Sequence, residues 1–157
     1  MLLCQQARAF NCCLCLLPIM PAESAFLPEL IAPCGLNCGL CRAYLLKNKK
    51  CSGCRGSPKN KSNSCLKCKI KNCKELKKGI RFCFSCAAYP CTNLEQLALR
   101  YQTRYSINLH QNLKNIKENG LDNFVLDESK RWVCSKCGAV ICMHKGFCSA
   151  CEEKNSQ

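Results

Sequence analysis

The sequence has few acidic residues, few histidines and little apolar chain that could enter a membrane. Asp and Glu together number 10 among 157 residues, and there are 2 His. Outside the cysteines, no acids and bases converge in one motif. We therefore expect no enzyme active site and no small-molecule substrate, unless a metal ion keeps an open coordination position. The apolar run from Cys12 to Met20 is too short to span a membrane.

The chain also lacks the apolar residues needed for a large core. Its apolar share of 48% includes 20 cysteines. Without them only about a third of the chain is apolar, which is too little for a self-sufficient core. Cross-links, either disulfides or metal ions, must therefore supply part of the stability.

The cysteine spacing favours metal ions over disulfides. In seven pairs the cysteines are separated by two residues, which lets both thiolates of a tight turn point at one ion. A disulfide stabilises mainly by closing a long loop, so it gains little at this spacing. We therefore predict structural zinc in a reducing, cytoplasmic compartment. The pairs are Cys12/Cys15, Cys38/Cys41, Cys51/Cys54, Cys65/Cys68, Cys83/Cys86, Cys134/Cys137 and Cys148/Cys151.

Composition divides the chain into four parts. Residues 1–33 are an apolar N-terminal extension, either unstructured or the product of an upstream start codon with Met20 as the real beginning. We predict a cysteine-rich metal-binding module at 34–91, a helical hairpin at 92–120 and a zinc-ribbon-like module at 129–151. Together they make a small metal-stabilised α+β fold. We exclude the cysteines of the extension from the metal sites: Cys4, Cys12, Cys13 and Cys15.

The hairpin prediction depends on helix signals between residues 92 and 120. Thr92 and Glu95 have the spacing of a capping box, with Thr92 as the N-cap. Apolar residues then recur at helical spacing up to Tyr105. A second helix is expected to start at Asn108 and to end before Gly120.

The tail contains the most specific ligand set. Its four cysteines have the pattern C-x2-C-x10-C-x2-C, which is typical of a zinc ribbon. We expect Trp132 and Val133 to form a strand that enters the first turn of this module. The predicted ligands are Cys134, Cys137, Cys148 and Cys151.

The first module contains more cysteines than one four-ligand site uses, and their spacing permits several groupings. Cys51, Cys54, Cys65 and Cys68 repeat the ribbon spacing, and the C-x2-C-x4-C pattern recurs from Cys65 and from Cys83. Seven further cysteines are one short of two tetrahedral sites. Either one site is not formed, or a metal keeps an open position, or a ligand comes from elsewhere, for which Cys142 and His144 are the candidates. About four zinc ions would then be bound. The seven are Cys34, Cys38, Cys41, Cys73, Cys83, Cys86 and Cys91.

Iron remains an alternative metal, because thiolates also bind iron–sulfur clusters. Cys34, Cys38 and Cys41 have the spacing of radical S-adenosylmethionine enzymes, but the remaining chain is too short for the barrel that such enzymes need. The ferredoxin pattern C-x2-C-x2-C is absent, which favours zinc. A small iron–sulfur protein in electron transfer or redox sensing is the second hypothesis.

Several motifs in order resemble one known family. They are Cys34-Gly-Leu-Asn-Cys38-Gly-Leu-Cys41, the pairs that follow it, and Tyr89-Pro90-Cys91. With the tail motifs, they make residues 34–151 similar to a domain of unknown function, number 3795 in its series. The resemblance implies a cysteine-rich, zinc-binding protein and no particular activity.

The positive charge predicts a macromolecular partner. The formal net charge is +14, but four zinc–tetrathiolate sites would each carry about −2 and leave roughly +6. Residues 47–81 hold thirteen Lys and Arg against one acid, Glu75. A basic surface therefore survives this correction, and a protein or a nucleic acid is the expected partner. RNA or DNA binding through this segment is a third hypothesis.

Overall fold

The computed structural model describes residues 22–152 and Lys154 of the chain. Residues 1–21, with the four cysteines that we excluded as ligands, lie outside the described residues. Short 3-10 turns occupy Ala22–Ala25, Pro28–Leu30, Cys38–Leu40 and Cys83–Ser85. The helices are α1 (Asn63–Leu66), α2 (Lys74–Lys77), α3 (Thr92–Tyr105), α4 (Leu109–Asn119) and α5 (Leu121–Trp132). The strands are β1 (Ile141–Cys142) and β2 (Phe147–Cys148). The prediction of a small α+β fold is confirmed.

The two predicted helices are present, but one of their caps differs. Helix α3 begins at Thr92, and Cys91 takes the N-cap position, so the prediction of Thr92 as N-cap is wrong. An N-cap residue stands just outside the helix, and its side chain accepts hydrogen bonds from the amides two or three residues ahead. Thr92 is already the first residue of the helix, so it does not have this position. Helix α4 is capped as expected, because Asn108 Oδ1 accepts a hydrogen bond of 2.9 Å from the Gln111 amide.

A third helix follows where the sequence had suggested a strand. Helix α5 buries Phe124, Val125, Glu128 and Trp132 on one face, at the three- and four-residue spacing of a helix. The prediction that Trp132 begins a strand is therefore wrong, since it ends α5. Val133 makes only a single β-bridge, to Val140.

Part of the predicted N-terminal extension belongs to the core. Ala25, Leu30 and Ile31 are buried, and Ile31 is fully so. The hydroxyl of Tyr44 donates a hydrogen bond of 2.6 Å to the carbonyl of Ser24. Residues 25–32 therefore pack with the first cysteines, because the small cysteine-rich module leaves apolar surface that this segment covers.

The tail and the helices meet the first cysteine turns in one apolar core. Its fully buried side chains include Ile31, Leu40, Leu94, Leu109 and Leu113. The Met143 amide donates to the Leu40 carbonyl at 3.0 Å. The Asn112 side chain donates to the Gly35 carbonyl at 3.0 Å. These bonds hold both the tail and α4 against the segment around residues 34–41.

Within the described ranges, none of the helices has the length and apolar character that a membrane crossing requires.

Candidate metal centre

The first half of the tail site is a tight turn between Cys134 and Cys137. The Gly138 amide bonds the Cys134 carbonyl at 2.8 Å, and the Cys134 amide bonds the Ala139 carbonyl at 2.8 Å. Gly138 has a φ of 72°, a conformation that glycine adopts without the steric penalty of a side chain. The turn thus places both sulfurs on one side.

The second half follows a short hairpin. Strands β1 and β2 are antiparallel, with Ile141 opposite Cys148 and Cys142 opposite Phe147. The chain turns again after Cys148, where the Ala150 amide donates to Cys148 Sγ at 3.4 Å. An amide aimed at sulfur stabilises the thiolate, which is the form that binds metal.

The two halves bring four sulfurs together. The Sγ atoms of Cys134, Cys137, Cys148 and Cys151 all lie within 4.8 Å of one another. Cys134 and Cys151 are 3.6 Å apart at Sγ, and Cys137 and Cys148 are 3.5 Å apart. Zn–S bonds of about 2.3 Å in a regular tetrahedron place the sulfurs about 3.8 Å from each other. A disulfide needs about 2.05 Å, so the separation fits a shared metal ion.

The local electrostatics also favour metal binding. The backbone N–H groups of Cys137 and Lys136 face the first sulfur and lower the pKa of Cys134. In the same cluster the Ala139 amide lowers the pKa of Cys137, but burial and the other three thiols outweigh it and raise that pKa. One of the four thiols therefore ionises readily, and a bound cation is needed for the others to ionise as well. Cys134 and Cys148 are buried, whereas Cys137 is exposed, so a metal can reach the site from the side of Cys137.

Two other predicted tail ligands lie outside this set. Cys142 is buried in β1. His144 Nδ1 accepts a hydrogen bond of 3.3 Å from the Arg42 amide, and its ring packs edge-on against Tyr101 and Tyr105. In this arrangement His144 joins the tail hairpin to α3 and to the turn after Cys41.

The eleven cysteines of the first module are less tightly grouped. In the part of the chain that the structure describes, the tail cluster is the one set of three or more potential ligands with all ligand atoms within 4.8 Å. The repeated ribbon spacing of Cys51, Cys54, Cys65 and Cys68 therefore does not by itself converge, and its pairing stays a prediction. The Cys54 amide instead donates to Cys38 Sγ at 3.2 Å.

Two basic residues of the 47–81 segment donate hydrogen bonds to backbone carbonyls, which the sequence did not reveal. Arg55 donates to the carbonyls of Ile31 at 2.9 Å and Arg81 at 2.7 Å. Lys61 is buried and donates to the Gly53 carbonyl. Burial and the charge of Cys68 raise the pKa of Cys54, and the nearby Lys61 ammonium opposes this effect. Lys61 and Arg55 therefore lie close enough to Cys54 to lower its pKa. A lysine-rich run carries no signal that could separate such residues from the other basic residues of the surface.

The first module and the start of α3 can be compared with known families. Residues 30–96 match the model of a family described as "Protein of unknown function (DUF3795)". This confirms the resemblance for that segment. The match ends within α3 and does not include the tail cluster, so the four sulfurs of the tail lie outside the family segment.

Comparisons with the curated proteins and with the solved structures gave no match for the chain.

Proposed function

We propose that this protein is a structural zinc protein whose tail holds one Zn²⁺ between Cys134, Cys137, Cys148 and Cys151. The convergence of four thiols within 4.8 Å supports this proposal. Four thiolates fill a tetrahedral site and leave no position for water or substrate. Such a site stabilises the fold and does not catalyse a reaction.

The arrangement of the tail favours a zinc-ribbon-like module. Two cysteine turns flank a two-stranded antiparallel hairpin, and each turn supplies two ligands. Without the metal, residues 133–152 have two short strands, and the turns that carry the four cysteines have little regular structure to hold them. Metal binding would therefore contribute directly to the folding free energy of these turns.

Metal analysis on protein purified without oxygen tests this proposal. We expect zinc and no visible absorption band. Brown protein that contains iron and labile sulfide would instead support the alternative of a small iron–sulfur protein in electron transfer or redox sensing. Thiol ligands need a reducing compartment, so the proposed location is the cytoplasm.

We propose in addition that residues 47–81 present a basic surface to a polyanionic macromolecule. Ten of the thirteen Lys and Arg residues in this segment are exposed. The single acid, Glu75, pairs with Lys78 at 2.8 Å. Lysine predominates over arginine, which suits contact with phosphate better than recognition of bases.

Salt dependence of nucleic-acid binding tests this second proposal. The affinity for a mixed-sequence RNA should fall steeply as salt rises, with a slope set by the number of phosphates contacted. The variant Lys59→Glu/Lys67→Glu should reduce that slope, and Lys114→Glu/Lys117→Glu on helix α4 serves as the control. A partner that binds with no salt dependence, or equal slopes in both variants, would contradict the proposal.

A further inference from the structure

A second group of cysteines lines one small cavity beside the N-terminus of α3. Cys73, Cys83, Cys86 and Cys91 all face this cavity. They come from three separate segments: the residue before α2, the 3-10 turn Cys83–Ser85 with its following residue, and the residue before α3. The convergence is therefore a property of the tertiary structure, and the spacing of these cysteines does not single it out from other groupings.

The backbone holds these segments in place. The Cys83 amide donates to the Pro33 carbonyl at 2.9 Å, which anchors the turn to the N-terminal segment. The Cys86 amide donates to the Cys83 carbonyl at 3.0 Å and closes the turn. The sulfur of Cys91 makes no capping bond to α3. It is therefore available as a ligand at the positive end of a 14-residue helix, where a thiolate is stabilised.

The cavity has the surroundings of an ion site and not of a surface groove. Its wall includes Ile70 and Leu94, which are buried, and Leu76, which is partly buried. Lys69 and Glu75 also line it, and the Glu75 carboxylate is paired with Lys78 at 2.8 Å. The apolar side chains limit contact of the sulfurs with water, while the Lys69 ammonium offsets part of the charge of a tetrathiolate site.

The four sulfurs share one cavity but are more widely spaced than those of the tail, since no three of them all lie within 4.8 Å of one another. Binding of one ion would therefore draw the side chains inward.

We propose that Cys73, Cys83, Cys86 and Cys91 form a second zinc site, independent of the tail. One Zn²⁺ replaces four thiol protons, which pass to the solvent, and the site gains a net charge of about −2. The ion would pin the end of the basic 47–81 segment and the turn at Cys83 to the start of α3. This assignment goes beyond the tail site of the proposed function and does not depend on it.

Thiol labelling of the unmodified protein tests the assignment directly. The zinc-loaded chain is titrated with a chelator, pulsed with an alkylating reagent and analysed by mass spectrometry of its peptides. We expect Cys73, Cys83, Cys86 and Cys91 to gain label together in one step. The four tail cysteines should gain label in a separate step, so failure of either site is seen independently. Labelling of Cys73 or Cys91 at a different chelator concentration from Cys83 and Cys86 would overturn the assignment.

A variant pair gives a second measurement. Cys83→Ser/Cys86→Ser should lose one zinc ion per chain and keep the tail step of the labelling titration. Ser85→Ala, an exposed change in the same turn, should keep the full zinc content. Unchanged zinc content in the double variant, or iron with labile sulfide in the unmodified protein, would overturn the proposal. If the double variant fails to fold, the labelling of the unmodified protein decides.

Discussion

Glu128 is a buried carboxyl in α5 whose ionisation should make stability depend on pH. Its side chain is 5% exposed and lines a small cavity with Asn37, Trp132 and Met143. Burial raises the pKa of Glu128 to about 7, although the charge of Arg131 and the nearby polar side chains of Asn37 and Trp132 lower it. Asn37 Nδ2 itself has no hydrogen-bond partner with good geometry among the described residues, so this amide compensates the carboxylate only weakly.

The size and sign of the effect follow from the difference between the folded and unfolded pKa. The ordinary value for Glu is 4.5. The folded protein therefore binds this proton more tightly than the unfolded chain does. Its contribution to stability is complete below about pH 4.5 and is lost as the pH rises through about 7. The total is about 3 kcal/mol, of which about 1.4 kcal/mol is lost between about pH 6 and pH 8.

The substitution Glu128→Gln isolates this term, because it keeps the shape of the side chain and removes the charge. The free energy of unfolding is measured by urea denaturation at several pH values, with zinc present throughout. The thiols and the metal contribute equally to both proteins, so the variant-minus-wild-type difference should increase by about 1.4 kcal/mol from about pH 6 to pH 8. Asp127→Asn is the control, because the Asp127 side chain is 69% exposed and its difference should not change with pH. A flat difference for Glu128→Gln would refute the burial of an ionising carboxyl.

Three further changes test the packing and the tail. Leu113→Ala should lower the free energy of unfolding by about 2–5 kcal/mol, because Leu113 is fully buried; Leu99→Ala, at a side chain 66% exposed, should change it by less than about 0.5 kcal/mol in the same urea titration. Gly39→Ala should cost more than about 3 kcal/mol, since a Cβ there would lie 1.9 Å from the Ala25 carbonyl oxygen; an unchanged melting temperature would show that the N-terminal segment does not pack there. Cys134→Ser should lose one zinc ion and expose residues 133–152 to protease while the helical circular dichroism is kept. A Cys134→Ser variant with full metal content and protease resistance would show that Cys134 is not a ligand.

The helices show where reasoning from sequence succeeded and where it stopped. Helices α3 and α4 have apolar faces of regular spacing and clear boundary residues, such as Asn108 at the start of α4. Helix α5 was missed because its buried face contains Glu128, a charged residue at a core position. Trp132 and Val133 come directly before the turn that begins at Cys134, and two large apolar residues at this place favoured the prediction of a strand. Only the packing of α5 against α4 and the N-terminal segment makes this stretch helical.

The grouping of the cysteines also depended partly on the sequence and partly on the tertiary structure. The sequence alone predicted the small α+β fold and the convergence of the four tail cysteines, because those cysteines lie within 18 consecutive residues and tight turns bring them together. It could not determine which of the eleven cysteines of the first module share a site. Their spacing permits many groupings, and the choice depends on which segments fold against the same part of the core. The tertiary structure alone placed Cys73 and Cys91 on one cavity with Cys83 and Cys86, and bonded the side chains of Arg55 and Lys61 to backbone carbonyls. The physical reason is that contacts distant in sequence depend on how the apolar core closes, which local spacing does not encode.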